Sequence, residues 1–238
     1  MDPESAETVL VAGASGGTGR ELLRLLAPRV PTVRALTRSS EKASSLRETG
    51  ADEVVVDDLL APEDLSRAVA GVDVVYSAVG SGLGDVRSGG PLVDGAGAQA
   101  LLDAAVDAGV AAFAMESALG VGDEPASPLA SLFDLVIGPV QRAKAETETA
   151  LRQAPIRHTV LRPGVLTNGA RTDQVTVARP GARLWGAVSR ADVARLLAAA
   201  PVTPAAEDET FEVVATPRFR DRALDVDWQL PHRPPDSS

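Results

Sequence analysis

Residues 8–20 read Thr-Val-Leu-Val-Ala-Gly-Ala-Ser-Gly-Gly-Thr-Gly-Arg, and this stretch decides the fold. The apolar run 9–12 predicts a strand that is buried on both faces. The run breaks at Gly13, and a helical pattern takes over at 21–26 after further glycines. A strand that turns through glycines into a helix N-terminus is typical of a pyrophosphate-binding loop, because unpaired amides and the helix dipole meet the negative charge.

The glycines of this stretch have distinct predicted roles. Gly13 allows the tight turn, Gly16 lets the backbone approach the phosphates, and Gly19 lets the helix lie close to the strand. A glycine turn can also simply end a strand, but the preceding strand and the following helix favour nucleotide binding. The predicted cofactor-binding residues of the loop are Gly13, Ser15, Gly16, Gly17, Thr18 and Gly19.

The composition narrows the class of protein. The chain has 238 residues, of which 45% are hydrophobic, so it is long and apolar enough to fold as one α/β domain with a full core. No run of eighteen apolar residues occurs, which argues against a membrane-spanning segment. The acidic start at 1–7 lacks the basic and apolar parts of a secretory signal, which predicts a cytoplasmic location.

Charge and cysteine usage exclude several kinds of site. The chain has no cysteine and only two histidines, so disulfides and thiolate sites are excluded and no metal site is expected. The net charge of −10 argues against nucleic acid as a partner. Abundant Asp and Glu with only two lysines, Lys42 and Lys144, favour a halophilic, high-salt cytoplasm, and an ordinary acidic protein of a GC-rich genome is the alternative.

Strand and helix patterns alternate along most of the chain. Predicted strands lie at 9–12, 32–36, 53–56, 72–76, 111–115, 158–162, 175–177 and 210–214. Predicted helices lie at 21–26, 41–48, 62–71, 94–108, 141–152 and 190–200, with a glycine-rich loop at 80–90 and a long loop with a short helix at 116–135. This order predicts a Rossmann-like, doubly wound parallel sheet with helices on both faces.

The same pattern predicts the domain organisation. One Rossmann domain is expected over 1–238, with its core at about 8–215 and a small substrate-side subregion after about 163. The segment 216–238 is rich in Pro, Arg and Asp and is predicted to be a surface tail or disordered, with Trp228 able to pin it by burial.

The residues that end the second strand decide the type of dinucleotide. A carboxylate there would bind the ribose diol of NAD, but this chain has Thr37-Arg38-Ser39. A guanidinium and hydroxyls suit a 2′-phosphate, so Arg38 and Ser39 favour NADP(H) over NAD(H), which stays possible. Asp58, beside Leu59, is either an acceptor for the adenine amino group or an acid at a helix N-terminus. The small residues Ala78, Val79 and Gly80 end the fourth strand, where the backbone must pass close to the cofactor.

Together these segments resemble the atypical branch of the short-chain dehydrogenase/reductase superfamily, which holds flavin reductase-like and NmrA-like NAD(P)H-binding proteins. The resemblance covers about 8–215. It rests on the motifs at 13–19, 37–39, 58–59, 77–80, 116–121, 144–146, 161–166 and 189–193. It implies that the loop from Pro163 through Val165 to Leu166 closes over the nicotinamide.

One departure from the superfamily pattern bears on catalysis. Active members of the wider superfamily use a Tyr-x-x-x-Lys helix, in which the phenol moves the proton that accompanies hydride transfer. Lys144 matches the lysine, but Val140 stands where the tyrosine would be, and the only tyrosine in the chain is Tyr76. Ser117 matches the serine that the superfamily usually has at this place. Its hydroxyl either orients a substrate or satisfies the polar groups at the end of a strand.

Two functions remain from the sequence. The first is an oxidoreductase that passes hydride from NADPH to a conjugated small molecule such as a flavin or quinone, with Ser117 and Lys144 as the catalytic residues that orient it. The second is a non-catalytic NmrA-like protein that senses NADP(H). A tyrosine-dependent epimerase or dehydratase fits poorly. The chain is expected to be a monomer or a homodimer.

Overall fold

The computed structural model of the chain describes residues 3–81, 90–122, 130–215 and 217–232, the side chains of 4, 130–137, 217 and 218 excepted. The predicted loop at 80–90 and the predicted loop at 116–135 therefore lie partly outside the described residues.

A single mixed sheet of eight strands forms the centre of the molecule, in the order β3-β2-β1-β4-β5-β6-β10-β8. The strands are β1 (Thr8–Ala12), β2 (Thr32–Thr37), β3 (Glu53–Val56), β4 (Val74–Ser77), β5 (Ala112–Glu116), β6 (Arg157–Pro163), β8 (Thr176–Ala178) and β10 (Glu209–Val214). All neighbours are parallel except β10 and β8. The chain runs outward from β1 in both directions, so a topological switch point lies beside β1, as the predicted doubly wound fold requires.

Helices cover both faces of the sheet, which confirms the predicted fold class. They are α1 (Gly17–Leu26), α2 (Ala43–Thr49), α3 (Ser66–Val69), α4 (Ala98–Asp107), α5 (Ala130–Gln153) and α6 (Arg190–Ala199). One buried apolar cluster joins one face of the sheet to α1, α2 and α6, and another joins the other face to α3, α4 and α5. The apolar strands between these clusters are buried because both faces are covered.

Three predicted helix boundaries were wrong, each for a local reason. The helix predicted at 141–152 is longer in the structure, because α5 begins at Ala130 and accommodates Pro139 within it. The helix predicted at 62–71 shrinks to α3, because the Asp57 carboxylate accepts hydrogen bonds from the backbone of Glu63 and Asp64 and holds that stretch as a turn. The helix predicted from 94 opens with a π-helical turn, Val93–Gly97, before α4.

Two short strands beyond residue 163 were not predicted. The strand β7 (Val165–Thr167) pairs in parallel with β9 (Ala187–Ser189) as a separate small sheet. Ser189 then caps α6, since its hydroxyl accepts a hydrogen bond from the backbone of Asp192. This small sheet lies next to the end of β6, where the substrate-side subregion was expected.

The described part of the tail lies against the domain. The ring of Trp228 meets that of Phe211 edge-on, with 5.4 Å between the centroids. The backbone of Leu224 donates to Val177 in β8, and that of Gln229 donates to the hydroxyl of Thr203. Trp228 thus packs on the core, as the sequence suggested. No helix in the described parts of the chain is both long and apolar enough to span a membrane.

Candidate dinucleotide-binding site

The glycine loop between β1 and α1 leaves no space for a side chain at its first residue, Gly13. Gly13 has a φ of +74°, and a Cβ added there would lie 2.3 Å from the carbonyl oxygen of Ala78. The amide of Gly16 donates to the carbonyl of Gly13 at 2.9 Å, which closes the turn. Gly16 is the N-cap of α1 and provides no side-chain cap. The first turn of α1 is therefore arranged to offer its amides to an anion.

The next two glycines let other parts of the molecule approach the loop. A Cβ on Gly19 would lie 2.3 Å from the carbonyl oxygen of Gly13, so α1 rests directly on the loop. A Cβ on Gly17 would lie 2.3 Å from Cδ of Arg190, a residue of the 189–193 motif that the sequence did not assign to the site. The guanidinium of Arg190 also donates to the side chain of Asn168 at 2.7 Å. Arg190 therefore brings a cation to the start of α1.

A cleft of about 270 Å³ opens beside this loop, at the switch point. Nine predicted cofactor residues line it: Gly13, Ser15, Gly16, Arg38, Asp58, Leu59, Ala78, Val79 and Gly80. The other seven predicted residues do not line the cleft: Gly17, Thr18, Gly19, Ser39, Lys144, Pro163 and Val165. The first group lies beside the start of α1 and at the ends of β2, β3 and β4. Lys144 contacts the end of β5 through the carbonyl of Glu116, and Pro163 and Val165 lie at the end of β6 and in β7.

Two cations face the cleft near the end of β2. Arg38 was predicted, whereas Lys42 was not, although it also lines the cleft. Lys42 ends a short 3₁₀ turn, Ser40–Lys42. The sequence predicted a single helix over 41–48 there. The signal was available, since Lys42 is one of only two lysines and lies just beyond the strand end.

The two aspartates at the end of β3 have different surroundings. Burial acts to raise the pKa of Asp57, but hydrogen bonds from the backbone of Glu63, Asp64 and Asp58 outweigh it and hold that pKa below its ordinary value. The ionised carboxylate of Asp57 thus holds the loop that follows β3 through these hydrogen bonds. One oxygen of Asp58 accepts from the amide of Leu60 at 3.0 Å. Its place in the cleft is compatible with the predicted bond to an adenine amino group.

Lys144 is held by partners within the protein. Its Nζ lies 2.8 Å from a carboxylate oxygen of Asp94 and donates to the backbone carbonyl of Glu116 at 3.2 Å. Burial would raise the pKa of the fully buried Asp94, but Lys144 and then Ser81 outweigh it and lower that pKa. The sequence reasoning missed Asp94, which joins the exit of β4 to Lys144, because its carboxylate also accepts from the amide of Ser81.

No tyrosine is available near Lys144. Val140 precedes it by one turn of α5, as the sequence indicated. Tyr76 is buried in β4, where its hydroxyl donates to the carbonyl of Ala198 at 3.4 Å. Burial raises the pKa of Tyr76 far above its ordinary value, which favours the neutral phenol.

Ser117 belongs to a buried ion-pair cluster. Its hydroxyl donates to Glu148 at 2.6 Å, and Glu148 has no exposed surface. Arg162 binds both oxygens of Glu148, with Nε at 3.0 Å and Nη2 at 2.6 Å, and Arg152 reaches it at 3.2 Å. The sequence reasoning missed this cluster. This hydrogen bond is the kind expected for the strand-end role, which was the alternative to substrate orientation.

Glu116 lies on the opposite side of the sheet from Ser117. It is 7% exposed and accepts a hydrogen bond from the hydroxyl of Thr18 at 3.0 Å. Burial raises the pKa of Glu116, although Lys144 and Arg190 favour its ionised form. Thr18 was predicted to bind cofactor, and the structure shows that its side chain ties α1 to the end of β5.

Replacing Glu116 by glutamine is expected to change how stability depends on pH. In the unfolded chain the carboxyl titrates near 4.5, and in the folded protein its pKa is higher. The stabilising contribution of Glu116 is therefore complete below its unfolded-state pKa and is lost as the pH rises through its folded-state pKa. Glu116→Gln keeps an acceptor for Thr18 without this loss. Urea unfolding from about pH 5 to 8 should show the variant gaining stability over the parent as pH rises.

The exposed Glu63 provides the control, since Glu63→Gln should leave the pH profile unchanged. Parallel profiles for the parent and Glu116→Gln would contradict the raised pKa.

Comparison with known proteins agrees with this geometry. Residues 13–204 match a protein family described as NAD(P)H-binding. The uncharacterized sugar epimerase YhfK of Bacillus subtilis is 30% identical over 206 residues, which cover 86% of this chain and 92% of that protein. The NAD(P)H azoreductase of Xenophilus azovorans is 30% identical over 158 residues, or 66% of this chain and 47% of the azoreductase.

A solved structure shows the same fold. A Bacillus halodurans protein described as an NAD-dependent epimerase/dehydratase superimposes with a TM-score of 0.76 at 30% identity, covering 88% of this chain and 94% of that one. Among the described residues, no group of three His, Cys, Asp or Glu side chains is placed to hold a metal ion. The glycine loop, the sheet order and the family match agree, and the chain belongs to the NAD(P)H-binding family of atypical short-chain dehydrogenase/reductase proteins.

Proposed function

We propose that this protein is an NADPH-dependent reductase whose acceptor is a conjugated small molecule of the flavin or quinone type. The observation that carries the proposal is the surroundings of Lys144. The lysine is buried and paired with Asp94, while Val140 occupies the turn before it. The site therefore keeps the cation beside the cofactor region and lacks the phenol that would protonate a simple carbonyl.

The missing phenol favours one class of acceptor. A bound dinucleotide would supply the hydride. A conjugated acceptor spreads the resulting negative charge over its rings and takes its proton from solvent, so it needs no side-chain acid. The azoreductase relative supports this reading, because an azo bond joined to aromatic rings is also a conjugated acceptor. Epimerase chemistry, which some of the relatives' names indicate, fits this site less well, because in the superfamily that chemistry uses the tyrosine.

The preference for NADP(H) rests on the cations of the cleft. Arg38 and Lys42 both line it near the end of β2, where a carboxylate would select NAD. Two cations suit a phosphate of charge near −2 on the ribose, and a guanidinium can bind it with two hydrogen bonds. NAD(H) would fill the same cleft without using these charges.

Arg38→Ala and Lys42→Ala are each expected to weaken NADPH binding roughly tenfold, which corresponds to ~1.4 kcal/mol, and to leave NADH binding nearly unchanged. The loss is confined to NADPH because only that dinucleotide carries the 2′-phosphate. Nicotinamide fluorescence titrations in low and in molar KCl measure both affinities. Arg47→Ala is the control, since Arg47 is exposed on α2 and outside the cleft. Equal losses for NADPH and NADH would contradict the preference.

A sensor function is the second candidate, and one observation favours it. Ser117 and Lys144, the two predicted catalytic residues, both use their polar atoms in buried contacts. The same titration separates the two functions when FMN and a soluble quinone are added to the NADPH complex. Oxidation of NADPH supports the reductase, whereas tight NADPH binding without oxidation by any acceptor supports the sensor.

A further inference from the structure

We propose that Arg190 binds the pyrophosphate of the dinucleotide, and that Asn168 positions its guanidinium for that contact. The proposal rests on the dinucleotide of the proposed function and not on the identity of the acceptor. It goes beyond that function by adding a side chain to a phosphate contact that the sequence assigned to the glycine loop alone.

Arg190 lies across the first residue of α1. A Cβ added to Gly17 would lie 2.7 Å from Nε and 3.6 Å from Cζ of Arg190, so the arginine occupies the place of the side chain that Gly17 lacks. Gly17 begins α1, and the amide of Arg20 donates to the carbonyl of Gly16, the N-cap, at 3.1 Å. An anion bound by the amides of this first turn would therefore lie next to the guanidinium of Arg190.

Two neutral acceptors hold the guanidinium by one of its nitrogens. Nη1 of Arg190 donates to the side-chain oxygen of Asn168 at 2.7 Å and to the backbone carbonyl of Leu166 at 3.4 Å. Nε and Nη2 make no hydrogen bond to the described residues. Together these two nitrogens form an edge that can bind two phosphate oxygens at once.

The charge of Arg190 is not neutralised by a direct ion pair. Arg190 is half-buried, and no carboxylate of the described residues lies within 4.0 Å of its nitrogens. Its charge favours the ionised form of Glu116, which lies beyond that distance and accepts from Thr18. A half-buried guanidinium with neutral hydrogen-bond partners suits an anionic ligand, because the ligand would supply the missing countercharge.

A cavity adjoins Arg190 at the start of α1. It has a volume of about 210 Å³, three of its eight lining residues are arginines, and its one acidic lining residue, Glu21, pairs with Arg24 at 2.7 Å. Gly16 lines the cofactor cleft and Gly17 lines this cavity, so the two openings adjoin at the first turn of the helix. A pyrophosphate bound at that turn would have the cleft on one side and Arg190 on the other.

The residues that hold Arg190 come from the expected nicotinamide side of the site. Leu166 lies in β7, Asn168 follows that strand, and the loop at 163–166 is the one expected to close over the nicotinamide. Arg190 thus connects this segment to the phosphate-binding turn. Because its guanidinium is held before any ligand arrives, the entropic cost of ordering it on binding is lower.

Ligand fragments test the contact without any acceptor or hydride transfer. Isothermal titration calorimetry compares NADPH, NADH, ADP-ribose and adenosine 2′-monophosphate, of which only the last lacks a pyrophosphate. Arg190→Gln should weaken binding of the first three roughly tenfold and leave the 2′-monophosphate unchanged. Arg38→Ala should give the complementary pattern, with losses confined to NADPH and the 2′-monophosphate.

Three further variants separate the roles of shape, charge and position. Arg190→Lys keeps the charge without the planar fork and should recover only part of the affinity. Asn168→Ala should weaken the pyrophosphate ligands roughly threefold, because the guanidinium is then held less firmly. Arg24→Gln is the matched control and should bind all four ligands like the parent, since Arg24 lines the same cavity but is 54% exposed and paired with Glu21.

The outcomes distinguish this contact from the reductase function. Unchanged affinity for ADP-ribose in Arg190→Gln would overturn the contact. A loss that includes the 2′-monophosphate would also overturn it, because the substitution would then distort the whole cleft. The expected pattern without oxidation of NADPH by FMN or a quinone would overturn the reductase and leave the contact standing. A parent protein that binds none of the four ligands would overturn both.

Discussion

Gly13→Ala is expected to weaken NADPH binding by roughly 100-fold or more, which is ~2.7 kcal/mol. The added Cβ would lie 2.3 Å from the carbonyl oxygen of Ala78 and 2.9 Å from the amide nitrogen of Val79. Neither atom can move aside freely, because both belong to the backbone that leaves β4. The loop and the exit of β4 must separate, and both line the cofactor cleft. Nicotinamide fluorescence measures the loss.

The variant should also be less stable by about 3 kcal/mol, since steric overlap adds to the left-handed backbone conformation. Gly71→Ala isolates the second contribution, because Gly71 has a φ of +66° but nothing within 4 Å of its added Cβ. It should cost only ~1–2 kcal/mol in urea unfolding and leave NADPH affinity intact. If Gly13→Ala behaves like Gly71→Ala in both measurements, the glycine loop does not form the cofactor cradle.

The fold was predictable because its strands are short apolar runs separated by helical patterns. All strands of the core sheet were located to within a few residues, including β10 near the far side of the sheet and its neighbour β8 at the edge. The failures lie where tertiary contacts override local signals. Pro139 is accommodated inside α5, and the small sheet of β7 and β9 is too short to show a pattern of its own.

The site was predictable where backbone geometry sets the residue type. Gly13 and Gly19 are required by close approach, which a motif records. Asp94 was missed because its role depends on which segments fold together, and spacing along the chain does not show this. The cluster at Glu148 was missed for the same reason: its arginines come from α5 and β6, and the serine comes from the end of β5. Lys42, by contrast, could have been found from its place just beyond a strand end.

Arg162→Leu is expected to destabilise the protein by about 3–5 kcal/mol. Glu148 is completely buried and would lose the two hydrogen bonds from Arg162, which lie at 3.0 and 2.6 Å. Arg152 would remain, but its side chain is 44% exposed and donates from one nitrogen only, at 3.2 Å. A buried carboxylate without adequate compensation is costly, so most of the loss comes from the charge left behind. Urea unfolding in molar KCl, with a constant m-value, measures it.

The double variant Glu148→Leu with Arg162→Leu separates the two explanations of that loss. If the cost comes from the unpaired charge, removing both partners should recover most of the stability, because a buried ion pair contributes little more than apolar residues of similar volume. Arg152→Ala, which removes only the exposed partner, should cost less than about 1 kcal/mol. A double variant no more stable than Arg162→Leu would instead mean that the arginine stabilises the end of β6 by packing. In that case the position of Pro163, and with it the predicted nicotinamide side of the site, would depend on the stem of Arg162 and not on its charge.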